Sequence, residues 1–223
     1  MSKVKGTAII KLKLDDAELN RGLKAAQDNF KRLGANIAKA GLSLVAIGGA
    51  GIAGFFATAK AAGDAQEIIS RFNAVFRDQA GGAREFAKIL ANDVGRAETD
   101  ILDALSSYQA FFVGLGKGSA ESAKLSKELT ALAIDFASFN NITDGDAQRR
   151  FISALAGSSE VVDKYGINLK KAALDNFFLS NGIDATTATA TEQQKVMARL
   201  AIITESMGSQ GAVGDAIRTS DSF

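Results

Sequence analysis

A mostly α-helical fold is predicted for this chain by three observations. Its 223 residues include no proline, although average usage would place roughly eleven in a chain this long, and helix interiors exclude Pro more strongly than strands or loops do. Alanine, the best helix former, is abundant. Apolar residues also recur at spacings of three and four over most of the length. The expected architecture is one short strand, a long N-terminal amphipathic helix and then a bundle of shorter helices.

The strand is placed at Thr7 to Leu14, where Ile10, Leu12 and Leu14 alternate with Lys11 and Lys13, giving one apolar and one charged face. Asp15-Asp16 stops it and offers a cap to the helix that follows. From there the apolar positions run Leu19, Leu23, Ala26, Phe30, Leu33, Ile37, Ala40, Leu44 and Ile47, a coiled-coil heptad seam of about four repeats. Arg21, Lys24, Asp28, Lys31 and Arg32 occupy the other faces. A helix of this kind must bury one narrow stripe, against its own chain or against identical copies. Leu19, Leu23, Phe30, Leu33, Ile37 and Leu44 are the candidate self-association seam.

The seam passes into an apolar run, Ala40 to Ala59, with no charge between Lys39 and Lys60. Twenty residues are about the length that spans a bilayer. Five of them are glycines (Gly41, Gly48, Gly49, Gly51, Gly54), which weaken a helix in water but permit close helix contact. The run reads either as a buried bundle helix or as a latent membrane segment, whose apolar residues would be Leu44, Val45, Ile47, Ile52, Phe55 and Phe56.

Beyond Asp64 the pattern breaks into shorter helices. Ile68, Ile69, Phe72, Val75 and Phe76 share a face, with Gly81-Gly82 expected to end the segment. Phe86, Ile89 and Leu90 follow. Ile101, Leu105, Tyr108, Phe112 and Leu115 form the next stripe, broken at Gly116-Lys117-Gly118, after which Ser119 is expected to cap Leu125, Leu129, Leu132, Phe136 and Phe139. Asn140-Asn141 stops that helix. Thr143 or Asp144 caps the next, with Phe151, Ile152 and Leu155 inward and Gly157 at its close. Val161, Val162 and Tyr165 make a short helix ending at Gly166, and Asn181-Gly182 ends another after Phe177, Phe178 and Leu179. Thr191 with Gln194 is a capping box for a helix through Ser206. The ten phenylalanines from Phe72 to Phe178 are read as core. Three units result: residues 1–62 with the strand, seam and apolar run; 63–207, a helical bundle; and 208–223, a tail or the start of a coiled region.

Composition removes many functions. With no His and no Cys there is no Ser-His-Asp or Cys-His nucleophile, no thiolate, no disulfide and no usual soft or imidazole metal site. A balance of 26 Lys+Arg against 25 Asp+Glu, without a basic block, gives no electrostatic footprint for sequence-specific nucleic acid. The N-terminus lacks the basic-then-apolar order of a signal peptide, so the chain is expected to be made in the cytoplasm.

Three motifs bear on chemistry. Gly49-Ala50-Gly51-Ile52-Ala53-Gly54 is a literal GxGxxG, but it continues a heptad rather than following a strand, and no βαβ alternation succeeds it. In the segment from Gly114 to Ser119, Gly118 and Phe111 stand where a phosphate loop needs Ser or Thr and its first Gly. Around Asp144-Gly145-Asp146, Arg149 and Leu155 replace the turn glycine and closing Glu of a calcium loop. No catalytic, cofactor or metal residues are assigned, and no enzyme is expected.

Three segments carry a family resemblance. Residues 132–142 (LAIDFASFNNI), 151–160 (FISALAGSSE) and 164–169 (KYGINL) with 171–174 (KAAL) together resemble the N-terminal domain of phage tail tape measure proteins. Residues 191–195 (TEQQK) and 218–222 (RTSDS) are similar to the same family. So is the opening order of short strand, amphipathic helix and Gly/Ala-rich stretch. The resemblance implies a structural virion protein of the tail lumen that takes part in tail assembly, length determination and genome ejection. Its implied partners are further copies of itself, the tail tube protein, tail assembly chaperones, tail-tip proteins and the host membrane. Family members usually run to many hundreds of residues, and Phe223 falls where their long coiled region would begin. A short member or an N-terminal fragment is therefore expected.

Overall fold

The computed structural model describes residues 59–220. Helix accounts for 76% of them and no strand occurs among them. The expected strand, the seam from Leu19 to Leu44, the apolar run with Ile52, Phe55 and Phe56, and the GxGxxG glycines all lie outside the described residues. In chain order the helices are α1 (Ala59–Phe76), α2 (Ala80–Val94), α3 (Glu98–Gly114), α4 (Ser119–Phe139), α5 (Asp144–Ala156), α6 (Glu160–Asp163), α7 (Lys171–Ser180), α8 (Glu192–Ser209) and α9 (Asp215–Ser220), with a 3-10 turn at Arg77–Gln79.

Helix α4 is the shared wall of two hydrophobic clusters. Leu125, Leu129, Leu132 and Phe136 enter the larger one, with Tyr108 and Phe112 of α3, Phe151 and Leu155 of α5, Phe178 of α7 and Leu200, Ile203 and Met207 of α8. Ala123, Ala131 and Ile134 enter the smaller one, with Phe72 and Phe76 of α1, Leu90 and Val94 of α2, and Ile101, Leu102 and Leu105 of α3. A helix with apolar residues around most of its circumference must be covered on most sides. That demand places α4 at the centre.

Several local expectations are corrected by the structure. The first break falls at Arg77, whose φ is +48°, while Gly81 and Gly82 sit in the opening turn of α2. Phe72 and Phe76 are stacked, ring centroids 4.6 Å apart and fully buried, so the chain must turn as soon as Phe76 is seated. A left-handed non-glycine residue costs about 1–2 kcal/mol, comparable to the gain from burying one such ring. Gly118, not Ser119, is the N-cap of α4; its backbone is extended and it offers no side-chain bond. Helix α8 passes Ser206 and ends at Ser209. Ile89 and Phe139, read as inward, are 46% and 43% exposed.

Helix ends meet where glycine permits it. Leu115 closes α3, and Gly116 follows at φ +83°, where a Cβ would stand 3.1 Å from Gln193 Nε2. The Gln193 amide donates to the Leu115 carbonyl. Gly157 closes α5 at φ +121°, and Arg199 Nη1 donates to the Leu155 carbonyl at 2.8 Å. Two side chains of α8 thus satisfy carbonyls that α3 and α5 would otherwise leave orphaned. The start of α8 is a complete capping box: Thr191 Oγ1 accepts from Gln194 N at 3.2 Å, and Gln194 Oε1 accepts from Thr191 N at 2.7 Å. Thr191→Ala should cost about 1 kcal/mol, measured as a lower urea midpoint with an unchanged slope.

The C-terminal residues are docked. Asp135 of α4, only 4% exposed, accepts from Gly214 N at 2.7 Å and Ala216 N at 3.2 Å at the start of α9. Ser138 adds a hydroxyl bond to Asp215 at 2.7 Å, and Ser220 Oγ donates to the Asp93 carbonyl at 2.8 Å. Residues 212–220, within the segment set apart as a tail, therefore pack on α4 and α2.

One core group is unmet. Tyr108 is 0% exposed and its hydroxyl has no hydrogen-bond partner, while burial pushes its ionisation far above the ordinary tyrosine range. A buried unsatisfied hydroxyl costs about 1–3 kcal/mol. Tyr108→Phe keeps the ring and deletes the orphan. It is expected to stabilise the protein by about 1 kcal/mol in urea unfolding.

Candidate functional site

A cleft of about 750 Å³ opens where four helices meet. Its apolar lining is Ile68 of α1, Ile101 and Ala104 of α3, Ala133 and Ile134 of α4, and Ile142 before α5. Three carboxylates edge it: Asp100 and Asp103 on α3, and Asp144 at the first position of α5. Their placement follows from local rules. Asp100 and Asp144 each stand in the first turn of a helix, where the unpaired N–H groups and the macrodipole favour negative charge. The two helix starts lie on the same cleft.

Two of the three carboxylates are answered by arginines. Arg71 on α1 pairs with Asp103. Arg96, in the loop between α2 and α3, donates its Nε to Asp144 at 2.7 Å and is itself part of the lining. For Asp100 the dominant influence is partial burial, followed by the negative charges of Asp144 and Asp103, and all three raise its carboxyl above the ordinary aspartate range. Thr130 of α4 also lines the cleft; it is 0% exposed, and its hydroxyl has no partner. The cleft thus combines an apolar surface, a surplus carboxylate and a buried hydroxyl with unused hydrogen-bonding capacity. These features suit a cationic group carried on an apolar body.

No side chain acts as a base toward the Thr130 hydroxyl through a hydrogen bond, and general-base activation needs one within about 3 Å. No group of three or more acidic residues among the described residues is arranged to hold a metal ion. Burial lifts two further carboxyls, Glu128 to about 7 and Asp135 to about 6. Lys124 at 3.9 Å draws Glu128 partly back, and Asp135 is committed to capping α9.

No protein-family model, curated protein or solved structure matches the chain. The functional reading therefore rests on the residues themselves. The motifs weighed in the sequence take ordinary roles wherever they are described. Gly114 to Gly118 is a helix end, and Lys117 pairs with Glu121 at 2.7 Å. In the segment after Asn141, Thr143 caps α5, accepting from Asp146 N at 3.1 Å, and Asp146 pairs with Arg149. No helix among the described residues is long and apolar enough to cross a membrane. The candidate seam and candidate membrane residues lie outside the described residues.

Sequence reasoning singled out Asp144 as a helix cap and in a rejected calcium-loop pattern, and passed over Asp100, Asp103, Arg96 and Thr130. The available signal was acids in the opening turns of successive helices. It is weak, because the same pattern serves the helix dipole alone.

Proposed function

We propose that this chain is a phage tail tape measure protein, or the N-terminal portion of one, acting by assembly and contact rather than by catalysis. The observation that carries the reading is the succession of segments 132–142, 151–160 and 164–169. Each contributes one aromatic ring to a single cluster: Phe136 lies 4.9 Å from Phe151 and 4.8 Å from Tyr165, centroid to centroid. The same segments contain the left-handed Asn141, Gly157 and Gly166 that turn the chain between helices. The resembling residues therefore build one folding unit. An absence of His and Cys agrees with a role that needs no nucleophile or metal.

In this reading the chain enters the virion with the tail and contacts the tube protein, the tail assembly chaperones and the tail-tip proteins. The test is made on particles. Mass spectrometry of purified tails should detect the chain, and deleting its gene should abolish tails or alter their length. Tails of normal length that form without the chain would refute the assignment.

A further inference from the structure

We infer that Lys127, where α4 passes the start of α2, is an acyl-acceptor site: a free amine that takes an acyl group from a thioester. Its surroundings set it apart from the other lysines. Lys117, Lys124, Lys170, Lys171 and Lys195 each have a carboxylate oxygen within 3.9 Å. Lys127 has no such partner among the described residues. Lys88 and Lys164 lack one as well, but both are exposed, and the Lys164 ammonium lies 4.8 Å from the centre of the Tyr165 ring. Of these lysines, Lys127 alone is half-buried and unpaired.

Its position works against the charge. A Cβ placed on Gly82, in the first turn of α2, would stand 3.7 Å from Lys127 Nζ. The N–H groups of a first turn carry the positive end of the helix macrodipole, which disfavours a cation. Helix α2 offers no offset, because it opens with no acidic residue and no side-chain cap from Gln79. The Phe86 ring lies 6.0 Å from Nζ, at the outer limit of a cation–π contact. Burial lowers the Lys127 pKa below the ordinary lysine value, the direction expected where desolvation meets no compensating anion. More of the side chain is then the free base near neutral pH, and the free base is the nucleophile. Nζ also stays within reach of a reagent, since it is not one of the unpartnered side-chain atoms sealed from solvent.

The transfer balances with the thioester as the sole co-reactant. The Nζ lone pair attacks the carbonyl carbon, the C–S bond breaks with its electron pair leaving on sulfur, and the proton lost by nitrogen passes through solvent to the thiolate. An amide and a free thiol result. Acylation removes the positive charge. At Lys117 or Lys171 that loss would break an ion pair. At Lys127 it removes a charge the fold does not use, so the packing of α4 on α2 is kept.

The test uses the full chain at neutral pH with acetyl-coenzyme A as the donor, and mass-spectrometric mapping follows each lysine. Lys127 should be acetylated several-fold faster than Lys88 and Lys164 in the folded protein, and at the same rate as both in urea. Gly82→Asp sets a carboxylate beside Nζ and an acid where the first turn of α2 favours one. It should slow Lys127 several-fold and leave Lys88 and Lys164 unchanged. Gly82→Asn, similar in size but uncharged, should keep Lys127 close to the wild-type rate. Circular dichroism checks that both variants fold; if either does not, the comparison of folded and urea-unfolded wild type decides alone. Lys127 reacting no faster than the two exposed lysines in the folded chain, a preference that persists in urea, or equal rates in folded Gly82→Asp and Gly82→Asn would each overturn the inference.

Discussion

Phe136→Ala is expected to remove about 3–5 kcal/mol of stability, the range for truncating a fully buried aromatic ring. The ring is 1% exposed and sits between Phe151 and Tyr165, so deleting it empties a space bordered by rings from α5 and the loop after α6. Those elements are held by carbonyl bonds from Arg199 and Gln210 of the α8 region and have limited freedom to collapse into the void. The cost should therefore lie toward the upper end of the range. Urea unfolding by circular dichroism measures it. Because α4 walls both clusters, amide exchange should accelerate in α1 and α2 as well as in α5 and α8. A loss of protection confined to α5 and α8 would show that the two clusters open independently.

The position of Phe136 was legible because the signal is local. Leu125, Leu129, Leu132 and Phe136 recur at three and four, and a helix with that pattern has only one way to bury them. The Thr191–Gln194 box was readable for the same reason: both partners lie within one turn. Phe139 continues the numerical pattern, yet it stands at the last turn of α4 and is 43% exposed, because periodicity describes a face and says nothing about where its cover ends. The Gly81-Gly82 doublet misled because glycine permits a break without requiring one. The stop was imposed by the packing of Phe72 on Phe76, a tertiary event.

The cleft was hidden for a further reason. Its lining comes from four helices between Ile68 and Gln148, and no short window contains all of its walls. Asp100, Asp103 and Asp144 look in sequence like ordinary surface acids at helix starts. Thr130 looks like a polar residue on the outer face of α4. What makes each of them part of a site is the crossing of α1 and α5 over the α3–α4 pair, which spacing alone does not encode.

Asp135→Ala is expected to cost about 2–4 kcal/mol and to free α9, from the unmet desolvation of two buried N–H donors at about 1–3 kcal/mol each, less whatever solvent recovers. Asp135 immediately precedes Phe136 and points to the other side of α4, toward a helix that arrives some eighty residues later. Its carboxylate supplies the N-terminal cap that α9 does not provide for itself. Burial raises its carboxyl to about 6 against the opposing pull of the Gly214 and Ala216 donors and of Arg218, with Asp215 adding to the rise. The folded state thus holds a proton between about pH 4 and 6 that the unfolded chain has already released. This group's contribution must then fall as pH rises through that window, by up to about 3 kcal/mol for two pH units, and level off above it. Asp135→Asn keeps an acceptor oxygen but cannot ionise. It should remove this slope from the stability profile between pH 4 and 7, whereas Asp135→Ala should remove the slope and also raise amide exchange across residues 212–220. An unchanged slope in Asp135→Asn would assign the pH dependence to another buried carboxyl, with Glu128 the first to examine.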